Sequence, residues 1–149
     1  MKKTLIASLI ALSTLSANAL EVGVTASRDY AGTDRNGGGI TVGETFGKYS
    51  ATVGAERFTS GKNDQNRYSL MGGYNVGNIG PVGFGLKGGV AYLDNQRGAD
   101  GFALVAGLGS TLPITKQVSA TLDYTRQYGQ HRVAASDSGK VTAGLKYTF

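Results

Sequence analysis

Val141-Thr142-Ala143-Gly144-Leu145-Lys146-Tyr147-Thr148-Phe149 closes the chain. Val141, Ala143, Leu145, Tyr147 and Phe149 alternate with Thr142, Gly144, Lys146 and Thr148. Successive side chains point to opposite sides in an extended strand, so this period of two predicts a β-strand with one apolar and one small or polar face. Working back from the terminus, the same alternation recurs in seven more segments: Leu20–Tyr30, Gly39–Phe46, Tyr49–Phe58, Arg67–Val76, Val82–Leu93, Gly101–Leu112 and Val118–Tyr128. None keeps helical spacing over two turns.

Which face is bulky decides the surroundings. Every Phe and Tyr except Phe58 falls on the apolar parity of its segment, and many cluster near segment ends. The opposite parity holds Gly, Thr, Ser and single charges. A soluble barrel points its large side chains inward to fill the core. Here the bulk lies on the other face, as in transmembrane barrels with aromatic girdles at both interfaces. A soluble lipocalin-type barrel conflicts with that arrangement. The expected fold is therefore all-β, an eight-stranded antiparallel up-and-down transmembrane barrel.

The N-terminus has a separate character. Lys2 and Lys3 precede a mostly apolar run from Leu5 to Leu15, and Ala17-Asn18-Ala19 has the small-x-small form of a cleavage site. The run is too short, and too interrupted by Ser and Thr, to span a bilayer as a helix. Residues 1–19 are expected to be a cleaved signal peptide and residues 20–149 the barrel domain. No later stretch of eighteen apolar residues suggests a membrane helix, and strands need only ~9–11 residues to cross. The 15 basic residues, two of them Lys2 and Lys3, exceed the 10 acidic ones mildly and are spread out. That distribution and export both argue against nucleic-acid binding. With no Cys in the chain, disulfides cannot contribute to stability.

Connections alternate in length. Phe46-Gly47-Lys48-Tyr49, Gly77-Asn78-Ile79-Gly80 and Pro113-Ile114-Thr115-Lys116 read as short turns. Ala31–Gly38, Thr59–Asn66, Asp94–Asp100 and Gly129–Ser138 read as longer polar loops. In outer-membrane barrels the short turns are periplasmic and the longer loops extracellular. An even strand number puts both termini on the periplasmic side.

The pattern resembles the small eight-stranded outer-membrane barrels of the OmpA/OmpX type, over the whole of residues 20–149. The resemblance rests on the leader, the eight alternating segments and the terminal strand with Leu145, Tyr147 and Phe149. It implies residence in the Gram-negative outer membrane, delivery by the barrel-assembly machinery through that C-terminal signal, and contact with lipopolysaccharide as a monomer. Activity does not follow, because one fold hosts unrelated functions.

Parity sends Glu21, Glu56, Arg67, Lys87, Asp123 and Lys146 into the lumen. An eight-stranded barrel is just wide enough to be filled by its own side chains, so isolated charges there would be costly and pairs are expected. Glu56 can meet Arg67 across one hairpin, Glu21 can meet Lys146 across the closing strands, and Lys87 can meet Asp123 across the interior. The functional alternative is a narrow ion path. Outward Arg28, Arg57 and Arg126 lie near the long-loop ends of their strands, where bidentate contact with lipopolysaccharide phosphates is the expectation. Glu44 breaks the outward pattern of its strand, and a bulge turning it inward is one expectation.

Catalysis and cofactors find little support. His131, the only His, shares a loop with Ser136, Asp137 and Ser138. These are the residue types of a hydrolytic triad, but a Gly-flanked loop gives such a triad no rigid support. The closely spaced His and Ser of the lipid A deacylases are not reproduced, because Val133 stands two residues after His131. Asp94, Asn95 and Asp100 offer oxygen ligands without an EF-hand spacing, and turn chemistry explains the same residues. No cofactor or metal site is expected, and the reading is a non-enzymatic barrel with a structural or surface-interaction role. A lipid A-modifying enzyme is the alternative from another class.

Intact-mass measurement of protein isolated from the envelope should give a chain beginning at Leu20. Ala19→Leu should leave the uncleaved precursor.

Overall fold

A computed structural model of the protein describes residues 19–31, 33–59, 64–96, 98–129 and 137–149. The leader read from Lys2, Lys3 and Leu5–Leu15 lies outside the described residues, as do His131 and Ser136. Eight strands follow one another: β1 Ala19–Ala31, β2 Thr33–Phe46, β3 Tyr49–Thr59, β4 Gln65–Ile79, β5 Val82–Asn95, β6 Gly101–Pro113, β7 Val118–Gly129 and β8 Ser138–Thr148. Each pairs antiparallel with the next, and β1 pairs with β8 from Glu21↔Thr148 to Asp29↔Lys140. The sheet is thus a closed barrel. Closure leaves no strand edge unpaired, which is how a sheet can stand in a solvent that offers no hydrogen bonds.

The expected alternation holds along the strands. Leu104 is 64% exposed and Leu108 58%, both on the outside, while Ala103 and Val105, on either side of Leu104, are buried. Aromatic side chains gather at the two ends of the outer face. Tyr30, Tyr68, Tyr92, Phe102 and Tyr128 ring the loop end, with Tyr92 and Phe102 5.1 Å apart between ring centroids. Phe46, Tyr49, Tyr74, Phe84, Tyr147 and Phe149 ring the turn end. Between Phe84 and Tyr92 the strand runs about 26 Å at ~3.3 Å per residue. At a tilt of ~40° this is roughly 20 Å along the barrel axis, close to the ~25 Å apolar band of transmembrane barrels.

Several strand ends differ from the sequence reading. The stretch Thr33–Gly38, expected as loop, is the start of β2 and pairs with β1 up to Ala31↔Thr33. Its glycines carry no side chain to show alternation, which hid the strand. One of them makes space: a Cβ at Gly37 would lie 2.6 Å from the Phe58 ring. Phe58 itself points inward and is fully buried, which accounts for its exceptional parity. The second tight turn is Gly80-Pro81, between the paired Ile79 and Val82, rather than residues 77–80. Gly47 (φ 65°) and Gly80 (φ 59°) supply the left-handed backbone these two-residue turns need.

The register shift in the sheet lies in β4, between Asn75 and Gly77. Glu44 stands opposite Leu20 and Ala51 in ladders without any shift. The bulge expected at Glu44 is therefore absent, and Glu44 keeps the outward parity of Val42 and Phe46.

The interior is also less uniformly polar than the sequence reading held. Met71, Ala91, Leu93, Ala103 and Val105 form an apolar cluster inside, and Phe58 adds its ring. Packing distinguishes the two faces sharply. A Cβ at inward Gly89 would press on the Leu70 carbonyl and come within 2.8 Å of Met71 Cα, whereas at outward Gly72 the nearest atom is 3.7 Å away. Gly89→Val should lower the urea midpoint of the folded barrel, by about 1–3 kcal/mol of overpacking. Gly72→Val should leave it nearly unchanged.

Candidate functional site

Inward charges gather in two groups, and their environments differ. Toward the loop end, Asp29, Arg35, Glu56, Arg67 and Lys140 are all buried. Register explains the assembly. Asp29 stands opposite Arg35 on β2 and Lys140 on β8, and Glu56 stands opposite Arg67 on β4. Arg35 donates to Asp29 at 2.6 Å. Glu56 Oε2 accepts from Lys140 Nζ at 2.6 Å, and Oε1 accepts from Ser27 Oγ at 2.7 Å. Arg67 Nε stands 3.8 Å from the same Oε2. One carboxylate on β3 therefore links β1, β4 and β8 through the interior. The Phe58 ring lies beneath two of the cations, 5.9 Å from Arg35 Cζ and 5.9 Å from Lys140 Nζ, a cation–π placement that suits charges held out of water.

The turn-end group is more open. Glu21 Oε1 meets Lys146 Nζ at 2.9 Å and accepts from Thr45 Oγ1 at 3.1 Å. Lys87 donates to Asp123 at 2.6 Å, reaching from β5 to β7 over β6. Gly109 on β6 makes that reach possible, since a Cβ there would lie 2.7 Å from Lys87 Cε. These side chains are only partly covered: 34% of Lys87 and 26% of Lys146 remains exposed. The lumen is thus tight at the loop end and wetter at the turn end. A cavity of about 100 Å³ lies between, lined by Thr25, Glu56, Arg67, Lys87, Asp123 and Lys140 among others.

The structure brings the six sequence-derived lumen charges together as Glu56 with Arg67, Glu21 with Lys146, and Lys87 with Asp123. Sequence reading missed Asp29, Arg35 and Lys140. Asp29 and Lys140 sit one parity step beyond the inward residues Ser27 and Thr142, so extending each alternation by one step would have found them. Arg35 lay in the stretch taken as loop.

Outside, the three rim arginines are not equivalent. Arg28 pairs with Asp34 at 2.5 Å and Arg57 with Asp64 at 3.1 Å. Arg126 lies 5.6 Å over the Tyr128 ring and has no carboxylate within ion-pair distance among the described residues. Arg28 also lies 5.6 Å over its own neighbour, Tyr30. At the C-terminus, Phe149 N donates to Leu20 O at 3.0 Å, and the Tyr147 and Phe149 rings meet edge to face at 4.9 Å. Leu145, Tyr147 and Phe149 all face outward.

Of the residues considered for other chemistry, Asp137, Asp100 and Asn95 are held by local hydrogen bonds, whereas the buried Ser138 Oγ has no hydrogen-bond partner among the described residues. Ser138 opens β8 with its side chain buried inside the barrel, and Asp137 Oδ1 accepts from Gly129 N at 3.3 Å. Asp100 Oδ1 accepts from Asn95 N at 2.8 Å, and Asn95 donates to Ala99 O at 2.8 Å, which is turn chemistry. Among the described residues no cluster of three His, Cys, Asp or Glu could hold a metal ion.

Solved structures share this architecture over about nine-tenths of the chain. The N-terminal β-barrel domain of Pseudomonas aeruginosa OprF superposes with a TM-score of 0.67 at 17% identity, covering 89% of this chain and 99% of that one. Neisserial surface protein A gives 0.60 at 18% identity, covering 90% and 98%. Ail, the attachment invasion locus protein of Yersinia pestis, gives 0.57 at 14% identity, covering 89% and 97%. The fold is that of the small eight-stranded outer-membrane barrels. A de novo designed transmembrane β-barrel is similar too, with a TM-score of 0.63 at 19% identity, covering 88% of this chain and 95% of that one. No protein-family model and no curated protein sequence matches the chain.

Glu56→Gln should be the most damaging single change in the barrel interior, because it leaves Lys140 and Arg67 buried without their carboxylate. Removing one partner of a buried pair costs about 3–5 kcal/mol, read as a drop in the urea midpoint. Asp34→Asn at the exposed rim pair should barely move it.

Proposed function

We propose that this protein is a monomeric, non-enzymatic barrel of the Gram-negative outer membrane, serving envelope integrity or surface interaction rather than general permeability. The observation that supports it best is the outer face. Large apolar side chains stand exposed on every strand, bounded at both ends by aromatic rings. In water such a surface would associate; in a bilayer it is the covering a barrel needs. The turns β2–β3, β4–β5 and β6–β7 then face the periplasm with the β1 start and the β8 end, and the connections β1–β2, β3–β4, β5–β6 and β7–β8 face outward. The exposed Leu145, Tyr147 and Phe149 form the end that the assembly machinery reads.

The loop-end charge cluster supports a lumen closed to general diffusion. Asp29, Arg35, Glu56, Arg67 and Phe58 fill that end and are each at least nine-tenths buried. A residual ion path is the competing reading, favoured by the cavity near Lys87 and Asp123 and by the partial exposure of the turn-end pairs. Arg28, Arg57 and Arg126 at the outer rim suit lipopolysaccharide phosphates. Of the three, Arg126 is the one with no carboxylate within ion-pair distance among the described residues, so it carries the lipid contact.

In cold detergent the envelope-derived protein should run as a compact band that shifts on boiling. A single band together with recovery in the soluble periplasmic fraction would overturn the membrane reading. In planar bilayers the purified barrel should show no steady current. A current that changes with Lys87→Ala would replace the closed-lumen reading with the channel.

A further inference from the structure

Counting charges around the cavity gives an imbalance. Its lining includes three cations, Arg67, Lys87 and Lys140, against two anions, Glu56 and Asp123. Lys87 is matched by Asp123 at 2.6 Å and Lys140 by Glu56 at 2.6 Å. Arg67 is left sharing Glu56 at 3.8 Å, and its Nε has no hydrogen-bond partner although the residue is 3% exposed. Neighbouring Asp29 gives Oδ2 to Arg35 at 2.6 Å, and its Oδ1, although buried, makes no hydrogen bond to Arg67. Phe58 offers no match either, since its ring serves Arg35 and Lys140. A buried guanidinium without a matching charge costs several kcal/mol.

A second unpartnered donor lines the same cavity. Thr25 Oγ1 is buried and without a hydrogen bond. Thr25, Gly39, Glu56 and Arg67 stand in one row across β1, β2, β3 and β4, through the pairs Thr25↔Gly39, Gly39↔Glu56 and Glu56↔Arg67. The Glu56 side chain fills the space beside Gly39, its Cγ 2.7 Å from where a Cβ would lie, and the hydroxyl and the guanidinium line the cavity on either side of that carboxylate. At about 100 Å³, the cavity is well above the ~10–15 Å³ that a single water requires.

We infer that the barrel interior binds one small inorganic anion of halide size, held by Arg67 and the Thr25 hydroxyl with the Lys140 ammonium alongside. The anion supplies the missing negative charge, so the loop-end cluster is complete only when it is bound. The barrel is then stabilised by halide at that site, beyond the general screening that salt gives.

The test uses the purified barrel in detergent micelles, with folded and unfolded fractions read from the heat-shifted bands in urea. Sodium gluconate is replaced stepwise by sodium bromide at constant ionic strength. The folded-to-unfolded ratio of the native protein should rise with bromide along a saturable curve, by about tenfold at ten times the dissociation constant. Arg67→Gln removes the surplus cation and should lose the rise, while Lys116→Gln in a distant turn should keep it. An equal response from Arg67→Gln and the native protein would assign the effect to bulk solution and overturn the site. Should Arg67→Gln fail to fold, crystals of the native protein soaked in bromide decide: an anomalous peak beside Arg67 supports the site, and no peak there at high bromide overturns it.

Discussion

Closure of the backbone hydrogen-bond ring is the constraint from which the rest of the structure follows. In hydrocarbon an unpaired N–H or C=O costs several kcal/mol, so the sheet must meet itself. The β1–β8 seam does this from Glu21↔Thr148 to Asp29↔Lys140. With eight strands the closed ring is narrow, and the narrowness decides what may point inward. Inward glycines such as Gly89 and Gly107 let neighbouring backbones approach, and the few large inward side chains, such as Phe58 and Leu93, collect toward the loop end.

Charge in so narrow an interior must be matched. Most inward charges here meet a partner within 2.6 to 2.9 Å. Glu56 is the shared point, because it serves Ser27, Lys140 and Arg67 on three other strands. Replacing such a network with apolar residues is often no less stable. Its presence therefore points to shape and specificity rather than to stability alone. The similar designed transmembrane barrel makes the complementary point: the architecture can exist apart from any natural role.

Much of this was legible in the chain itself. Parity alone separated the outward aromatics from the inward small residues, since alternation survives any uncertainty about strand tilt. The pairings of Glu56 with Arg67 and Glu21 with Lys146 also followed, because they join neighbouring strands whose order is set by sequence. The contact between Glu56 and Lys140 did not. It crosses the lumen between β3 and β8, and such a meeting depends on stagger around the ring, which periodicity does not encode. Strand limits failed where side chains vanish, as at Gly37 and Gly38. Phe58 looked like an error of parity because its reason, two cations on its ring and a glycine opposite, lies on other strands.

The partners of Glu56 come from different times in the life of the chain. Arg67 stands across a single hairpin, so it can meet Glu56 as soon as β3 and β4 pair. Lys140 belongs to the last strand and reaches Glu56 only once β8 has docked against β1. A seam slipped by two residues would carry Lys140 about 6.6 Å along the strand and leave the carboxylate with its weaker neighbour at 3.8 Å. The interior thus senses whether the final strand has landed in its proper place, a proofreading contact buried where neither lipid nor solvent can imitate it.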